Sequence, residues 1–309
     1  MNTVILGASG FLGQSITSIL AEENADLTLF DMHFTETQKE KYRCVVGDFS
    51  SPADLEPILT NEVDTVIHLI STTVPATGDK YPGADVRGNL ITTLDFLDLC
   101  VKNRIRRVIF ASSGGTVYGS ISRPAEESDP CNPICSYGIV KRAIEEYLAL
   151  YHRLHGLEYS ILRASNPYGT GQAVNKPQGV IGAFLCRILE EKPIEIWGDG
   201  SVVRDFIHID DVAKAFAAVM KYRGPERIFN VGTGVGHSIK DVIGIIENVT
   251  GREVPCTYRQ QKVQDVPMNV LDVSKIKDAV GWMPEIGLRE GISHTYKQLL
   301  GQALELGYG

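Results

Sequence analysis

Over the first half of the chain, short apolar runs alternate with longer segments of mixed polarity. Thr3–Leu6, Asp26–Phe30, Cys44–Val46, Thr65–Leu69, Val108–Ala111 and Tyr159–Arg163 are dominated by Val, Ile, Leu and Phe, as expected of strands buried on both faces. Between them, Phe11–Glu22, Pro52–Leu59, Asn89–Lys102 and Tyr137–His155 place apolar residues at helical spacing. Such alternation predicts an α/β fold, a doubly wound parallel sheet covered by helices. From about Asn166 the rhythm breaks. Loops rich in Gly, Asn, Gln and Pro separate predicted helices at Val180–Glu191, Asp210–Tyr222 and Ile239–Thr250, and Ile228–Val231 reads as one more strand. We therefore expect a core over residues 1–165 and a smaller substrate lobe over 166–309, with segments near 205–232 returning to the core.

Composition narrows the function. A formal net charge of −8 disfavours nucleic acid, whose phosphates need a clustered basic surface. No apolar stretch reaches the length of a membrane span, and the N-terminal residues lack the pattern of a signal peptide, so a cytoplasmic protein is expected. The six cysteines form no CxxC pair, and His152 and His155 have no carboxylate completing a ligand set. Free thiols and no metal are the expectation.

The first strand ends in Gly7-Ala8-Ser9-Gly10-Phe11-Leu12-Gly13 and the second in Asp31. Glycines between a strand and a helix permit a tight turn, close approach of backbone to a pyrophosphate, and close helix–strand packing, the signature of a Rossmann-like nucleotide site. The helix N-terminus offers N–H groups to the anion. Asp31 suits a ribose 2′-hydroxyl and repels a 2′-phosphate, which selects NAD over NADP. Asp48 and Phe49 after the third strand and Leu69 after the fourth stand at successive strand ends, where one cofactor groove would run; Asp48 is suited to an adenine amino group.

The chemistry is expected at Tyr137 and Lys141, one helical turn apart on one face. An ordinary phenol, with a pKa of about 10, is a poor base at neutral pH. A neighbouring ammonium and a cationic nicotinamide would lower that value, so Tyr137 could take a proton from a substrate hydroxyl.

These motifs, with GDFSS, VIHL, Asn89, SSGGTVYG, RASNPYG, WGDGSVVRDFIHIDDVA, FNVGTG and DVPMNVLDVSKIKDAVGWMP, resemble the extended short-chain dehydrogenase/reductase superfamily over nearly the whole chain. Within it the resemblance is strongest to nucleotide-sugar 4-epimerases of the UDP-galactose epimerase type. The resemblance implies NAD held by Gly7, Gly10, Phe11, Leu12, Gly13, Asp31, Asp48, Phe49, Leu69, Asn89, Ser112, Tyr137 and Lys141. It implies a UDP-hexose oxidised at C4 with return of hydride to the opposite face. Lys141 would hold the nicotinamide ribose, Asn166 and Arg204 would contact the diphosphate, and a homodimer would form through the helices Asn89–Lys102 and Tyr137–His155, with Leu94, Leu97, Val101, Leu148 and Tyr151 as apolar contacts.

The chain departs from the family pattern at several positions. Gly114 stands where the family has a catalytic Ser or Thr, leaving Thr116, or else Ser113, to share the substrate hydroxyl with Tyr137. Lys262 replaces a phosphate-binding Arg, and Asn269 stands where a bulky Tyr would exclude a 2-N-acetyl group. Gly115 and Thr116 occupy the positions of a dehydratase's Asp-Glu pair, which argues against dehydration. A 4-keto reductase remains an alternative, as does a non-catalytic NAD-binding protein.

Overall fold

The computed structural model describes residues 2–23, 25–171, 179–260 and 266–305. Its strands are β1 (Asn2–Leu6), β2 (Asp26–Asp31), β3 (Arg43–Val46), β4 (Thr65–His68), β5 (Arg107–Ser113), β6 (Glu158–Ala164), β7 (Asn166–Tyr168), β8 (Ile194–Trp197), β9 (Val203–His208), β10 (Ile228–Val231), β11 (Gly236–Ser238), β12 (Cys256–Arg259) and β13 (Met268–Asn269). Seven of them form the central sheet in the order β10-β6-β5-β4-β1-β2-β3. β1 pairs in parallel with both β2 and β4, and β3 and β5 extend the parallel ladder on either side. This is the doubly wound, Rossmann-like architecture that the alternation predicts. The chain runs outward from β1 to β3 and then returns to β4, so the connections leaving β1 and β4 diverge and open a crevice at their carboxyl ends. Leu6 pairs with His68, which brings Gly7 and Leu69 out of the sheet at the same level.

The core explains the neighbouring helices. Val140, Ile144 and Leu148 recur at intervals of four on Ser136–His155, and all three pack in one cluster with Val4, Leu6, Phe30 and Phe110 of the strands and Phe96 and Leu97 of Thr92–Lys102. Gly156, at φ 71°, ends the longer helix. Leu97 and Leu148 are therefore interior residues, which corrects the expectation that they contact a second subunit: an amphipathic stripe alone does not say which apolar surface it faces.

Other differences have local causes. The predicted helix Asn89–Lys102 is entered through a π-helical turn, Val86–Ile91, before the α-helix Thr92–Lys102, and Pro52–Leu59 keeps helical form only over Pro52–Leu55. The pattern does not predict Glu36–Lys41, which buries no residue and is held by a Thr35–Gln38 capping box. Nor does it predict Leu288–Glu305, whose buried positions include the small residues Gly291, Thr295 and Ala303.

The chain divides into two compact units, Met1–Gly119 with Pro130–Arg163 and Phe216–Phe229, and Ser120–Asp129 with Ala164–Ala215 and Asn230–Gly309. Ser120–Asp129 thus departs from an unbroken first domain over 1–165. The reason is pairing within the second unit: Ala125 N–H donates to Val270 O at 2.9 Å, and Asn230 Nδ2 donates to Ala125 O at 2.8 Å. The second unit has its own sheet of β7, β9, β11 and β13 and a β8–β12 pair. Its core gathers Tyr168, Leu185, Phe206, Val242, Ile246, Ile292 and Leu299.

Candidate active site

The glycine loop is built by backbone constraint. Gly7 has φ 86° and donates to Phe30 O at 2.9 Å, a conformation that disfavours any side chain. A Cβ on Gly13 would lie 2.6 Å from Ala8 Cα, so only glycine lets the first helix pack this close to the turn. Gly10 caps Phe11–Glu22 without a side-chain bond, and the first turn, which contains Phe11 and Leu12, presents backbone N–H groups to an anion. Asp31 braces the loop: Oδ2 accepts from Ser9 N–H at 2.9 Å and Oδ1 from Met32 N–H at 2.8 Å. Each carboxylate oxygen keeps a second lone pair, so a ribose hydroxyl can still donate to it. These residues fit the pyrophosphate and ribose of NAD.

The other strand-end residues serve more local purposes. Asp48 Oδ1 accepts from both Ser50 N–H and Ser50 Oγ at 2.8 Å, bonds that hold its carboxyl below the usual range. Phe49 turns its ring into the core, 4.9 Å from the His68 ring and 5.7 Å from Phe96. That placement leaves its backbone to meet a cofactor. Leu69 N–H donates to Leu6 O at 3.0 Å. The Asn89 side chain is committed to protein: Oδ1 accepts from Thr72 N–H at 2.8 Å, and Nδ2 donates to Asp85 at 2.8 Å and to Thr73 at 3.2 Å. Asn89 shapes the loop after β4.

The chemical end lies where β5 meets the helix Ser136–His155. Lys141 is buried and donates through Nζ to Ala111 O at 2.9 Å, with Phe110 4.6 Å below it. Burial pushes its ammonium down to about 8, against an upward pull from Asp85 and Glu145. Tyr137 is half-buried, and Lys141 Nζ is 5.6 Å from its ring centroid. In the protein alone the Tyr137 phenol is pushed up, by burial first and then by Cys135 and Asp85. Desolvation dominates, and the Lys141 ammonium is drawn to the β5 carbonyl.

Ser112 lies at the end of β5, two residues before Gly114. Its hydroxyl is buried and donates to Glu145 Oε1 at 2.5 Å. Glu145 accepts as well from Arg163 Nε at 3.0 Å and Nη2 at 2.6 Å, and Arg163 Nη1 donates to Tyr118 Oη at 2.8 Å. This buried clamp fixes the wall formed by SSGGTVYG. Above it, Thr116 Oγ1 makes, among the described residues, a long 3.5 Å contact with Ser113 O, and both residues are partly exposed. A Cβ on Gly138 would come 3.1 Å from Thr116 Cβ, so the Thr116 turn rests directly on the first turn of the Tyr137 helix.

Sequence reasoning missed Glu145 and Asp85. Glu145 stands four residues after Lys141 on the same helical face, a spacing legible in the sequence, but its partner Arg163 comes from another strand.

In the second unit, Asn166 Nδ2 donates to Asp205 O at 2.9 Å. Arg204 Nη1 donates to Val203 O at 2.9 Å and Val266 O at 2.8 Å. Asn269, buried on β13, is the parallel-ladder partner of Arg204, so three of the four expected substrate residues lie on or beside β9. Lys262 lies outside the described residues. Asp205, fully buried, accepts from Thr233 N–H at 2.9 Å and Thr233 Oγ1 at 2.6 Å, Gly234 N–H at 3.2 Å and Leu271 N–H at 3.3 Å. It fixes the surrounding loops.

A doubly wound sheet with a glycine loop, an acid closing β2 and a Tyr–Lys pair on a helix defines a nucleotide-dependent oxidoreductase or isomerase scaffold. The match to the NAD dependent epimerase/dehydratase family covers residues 3–232, and the chain belongs to that family; its cofactor is NAD. The chain is 35% identical over 296 residues to a putative UDP-glucose 4-epimerase of Methanocaldococcus jannaschii, covering 94% of this chain and 96% of the relative. It is 32% identical over 309 residues to a dTDP-4-dehydro-6-deoxyglucose reductase of Escherichia coli, covering 96% of each. Its fold superposes with a TM-score of 0.92 on a UDP-glucose 4-epimerase of Thermotoga maritima solved with UDP-glucose, at 30% identity and covering 97% and 99% of the two chains.

Proposed function

We propose that the protein is an NAD-dependent nucleotide-sugar 4-epimerase acting on UDP-hexoses, UDP-glucose and UDP-galactose or their N-acetylamino forms. The observation behind this reading is the Tyr137–Lys141 pair beside the end of β5, within a chain whose relatives include named UDP-glucose 4-epimerases. NAD, held by the glycine loop and Asp31, would supply a hydride acceptor and donor for C4 of the sugar. Tyr137 accepts the proton of the 4-hydroxyl in the first half of the cycle and gives it back in the second. Lys141, anchored on Ala111 O, keeps a positive charge beside the phenol and favours the phenolate. Thr116, with Ser113 as the second candidate, shares the substrate hydroxyl. Asn166, Arg204 and Lys262 hold the diphosphate, and the small Asn269 leaves room for a 2-N-acetyl group. The active form is proposed to be a homodimer through the helices Thr92–Lys102 and Ser136–His155, which expose Tyr147 and Leu154.

The test is incubation of the purified protein, without added cofactor, with UDP-, dTDP- and GDP-sugars, the products resolved by NMR. Interconversion of a UDP-hexose with its C4 epimer, lost in Tyr137→Phe, is expected. The Escherichia coli relative favours a second reading, reduction of a dTDP-4-keto sugar. Net consumption of reduced cofactor by such a sugar, with no epimerisation, would establish it instead.

A further inference from the structure

The proposed chemistry gives no part to the buried carboxylate of Asp85. Asp85 is fully buried and ends the short helix Pro82–Asp85, just before the π-helical turn. Oδ1 accepts from Thr73 Oγ1 at 2.7 Å and from Asn89 Nδ2 at 2.8 Å; Oδ2 accepts from Ser136 Oγ at 2.7 Å. Thr73 belongs to the loop leaving β4, and Ser136 is the first residue of the helix that bears Tyr137 and Lys141. The Ser136 N–H donates in turn to Asp79 Oδ1 at 2.7 Å. A Cβ on Gly78 would lie 2.9 Å from Asp85 Oδ2 and 3.2 Å from Tyr137 N, so the carboxylate and the Tyr137 backbone meet across one glycine.

We propose that Asp85 is a positioning residue for the Tyr137–Lys141 pair, a latch that fastens the loop after β4 to the first turn of the catalytic helix. The inference rests on the assignment of Tyr137 as the acid–base group. A buried carboxyl is costly unless it is hydrogen-bonded, and here three donors from three separate segments reach both of its oxygens. The loop and the helix therefore cannot move apart without exposing the carboxyl to an unsatisfied state.

Charge supplies a second handle on the same residue. The groups facing the pair are Asp85, Cys135 and Asp79 at the start of the helix, Glu145 with Arg163 one turn beyond Lys141, and His68 from β4. Asp85 raises both the Tyr137 phenol and the Lys141 ammonium, so neutralising it lowers both. A residue that only filled space would move neither.

Three readouts test the latch on the protein as purified with NAD. Hydrogen exchange is followed in peptides covering residues 71–74 and 136–140, for wild type, Asp85→Asn and Ser136→Ala. Ionisation of Tyr137 is read as phenolate absorbance, each protein against its Tyr137→Phe counterpart. Turnover of a UDP-hexose gives kcat and KM. Both peptides are expected to lose protection together in both variants. The Tyr137 titration should move down in Asp85→Asn and stay in place in Ser136→Ala, while kcat falls about tenfold or more with KM nearly unchanged. Unchanged exchange at either segment, or a Tyr137 titration that does not move in Asp85→Asn, overturns the proposal. Should Asp85→Asn fail to fold, Ser136→Ala decides by exchange alone. Should wild type turn over no UDP-hexose, the epimerase reading falls while exchange and titration still decide the latch.

Discussion

Arg163 Nη2 lies 2.6 Å from Glu145 Oε2, and each side chain is 1% exposed. This ion pair beneath the SSGGTVYG wall joins β6 to the helix of Tyr137 and Lys141. Breaking a buried pair from one side leaves a charge without compensation, typically at about 3–5 kcal/mol. Arg163→Met is therefore expected to lose about 2–3 kcal/mol in urea denaturation, below that range, since Glu145 keeps Ser112 and Arg142 as donors. The double variant Arg163→Met/Glu145→Leu should recover most of it. A single variant as stable as wild type would mean that the pair does not hold the wall.

His68 sits among Phe49, Phe96 and Phe110, with Nε2 3.1 Å from Thr93 Oγ1. Burial, aided by Lys141, pushes its pKa from 6.5 down to about 3. The unfolded chain thus takes up a proton that the folded chain refuses, and stability is lost as pH falls below 6.5 towards 3. The contribution is about 1.4 kcal/mol per pH unit across that window. Relative to His68→Phe, wild type should lose about 2–3 kcal/mol between pH 7.5 and pH 4.5. Parallel stability–pH curves for the two proteins would contradict the assignment.

Lys141 shows the opposite trade between stability and function. Its ammonium titrates near 8 in the folded chain and at 10.5 when unperturbed. Between those values the unfolded state holds the proton and the folded state does not, so stability rises with pH. Below 8 the buried charge costs up to about 3 kcal/mol. Lys141→Met should compare with wild type more favourably at pH 7 than at pH 10.5 by about that amount, and turnover should be lost. A pH-independent stability difference would show that the lysine is better solvated than its burial implies.

Thr116 and Ser113 are the two candidates for the proposed hydroxyl partner of Tyr137. Thr116→Val is expected to reduce kcat by about ten- to a hundredfold, with Ser113→Ala having the smaller effect, because the Thr116 hydroxyl makes, among the described residues, a long bond to protein. Steady-state kinetics of both variants measure this. Equal activities would mean that Tyr137 works without a hydroxyl partner from this loop.

How much of this was legible in the chain depends on the range of the interaction. The glycine loop, the acid at the end of β2 and the Tyr137–Lys141 spacing are local: each follows from backbone sterics or helical periodicity over a few residues. The strand alternation likewise fixed the sheet, because runs buried on both faces have few other places to go. Leu288–Glu305 escaped notice because its buried stripe includes Gly, Thr and Ala, which pack closely but carry little hydrophobic signal.

The sequence by itself determined the nucleotide-binding scaffold and the spacing of the pair proposed to transfer the proton, since both are written in residues close together along the chain. Only the tertiary structure decided what surrounds that pair. Ser112 turns to Glu145 across 33 positions, Asp85 reaches Ser136 across 51, and Arg163 meets Tyr118 across 45. Such partners share no periodicity, so one chain's pattern cannot pair them. The balance of burial against charge that raises Tyr137 and lowers Lys141 likewise exists only once desolvation has been set by packing.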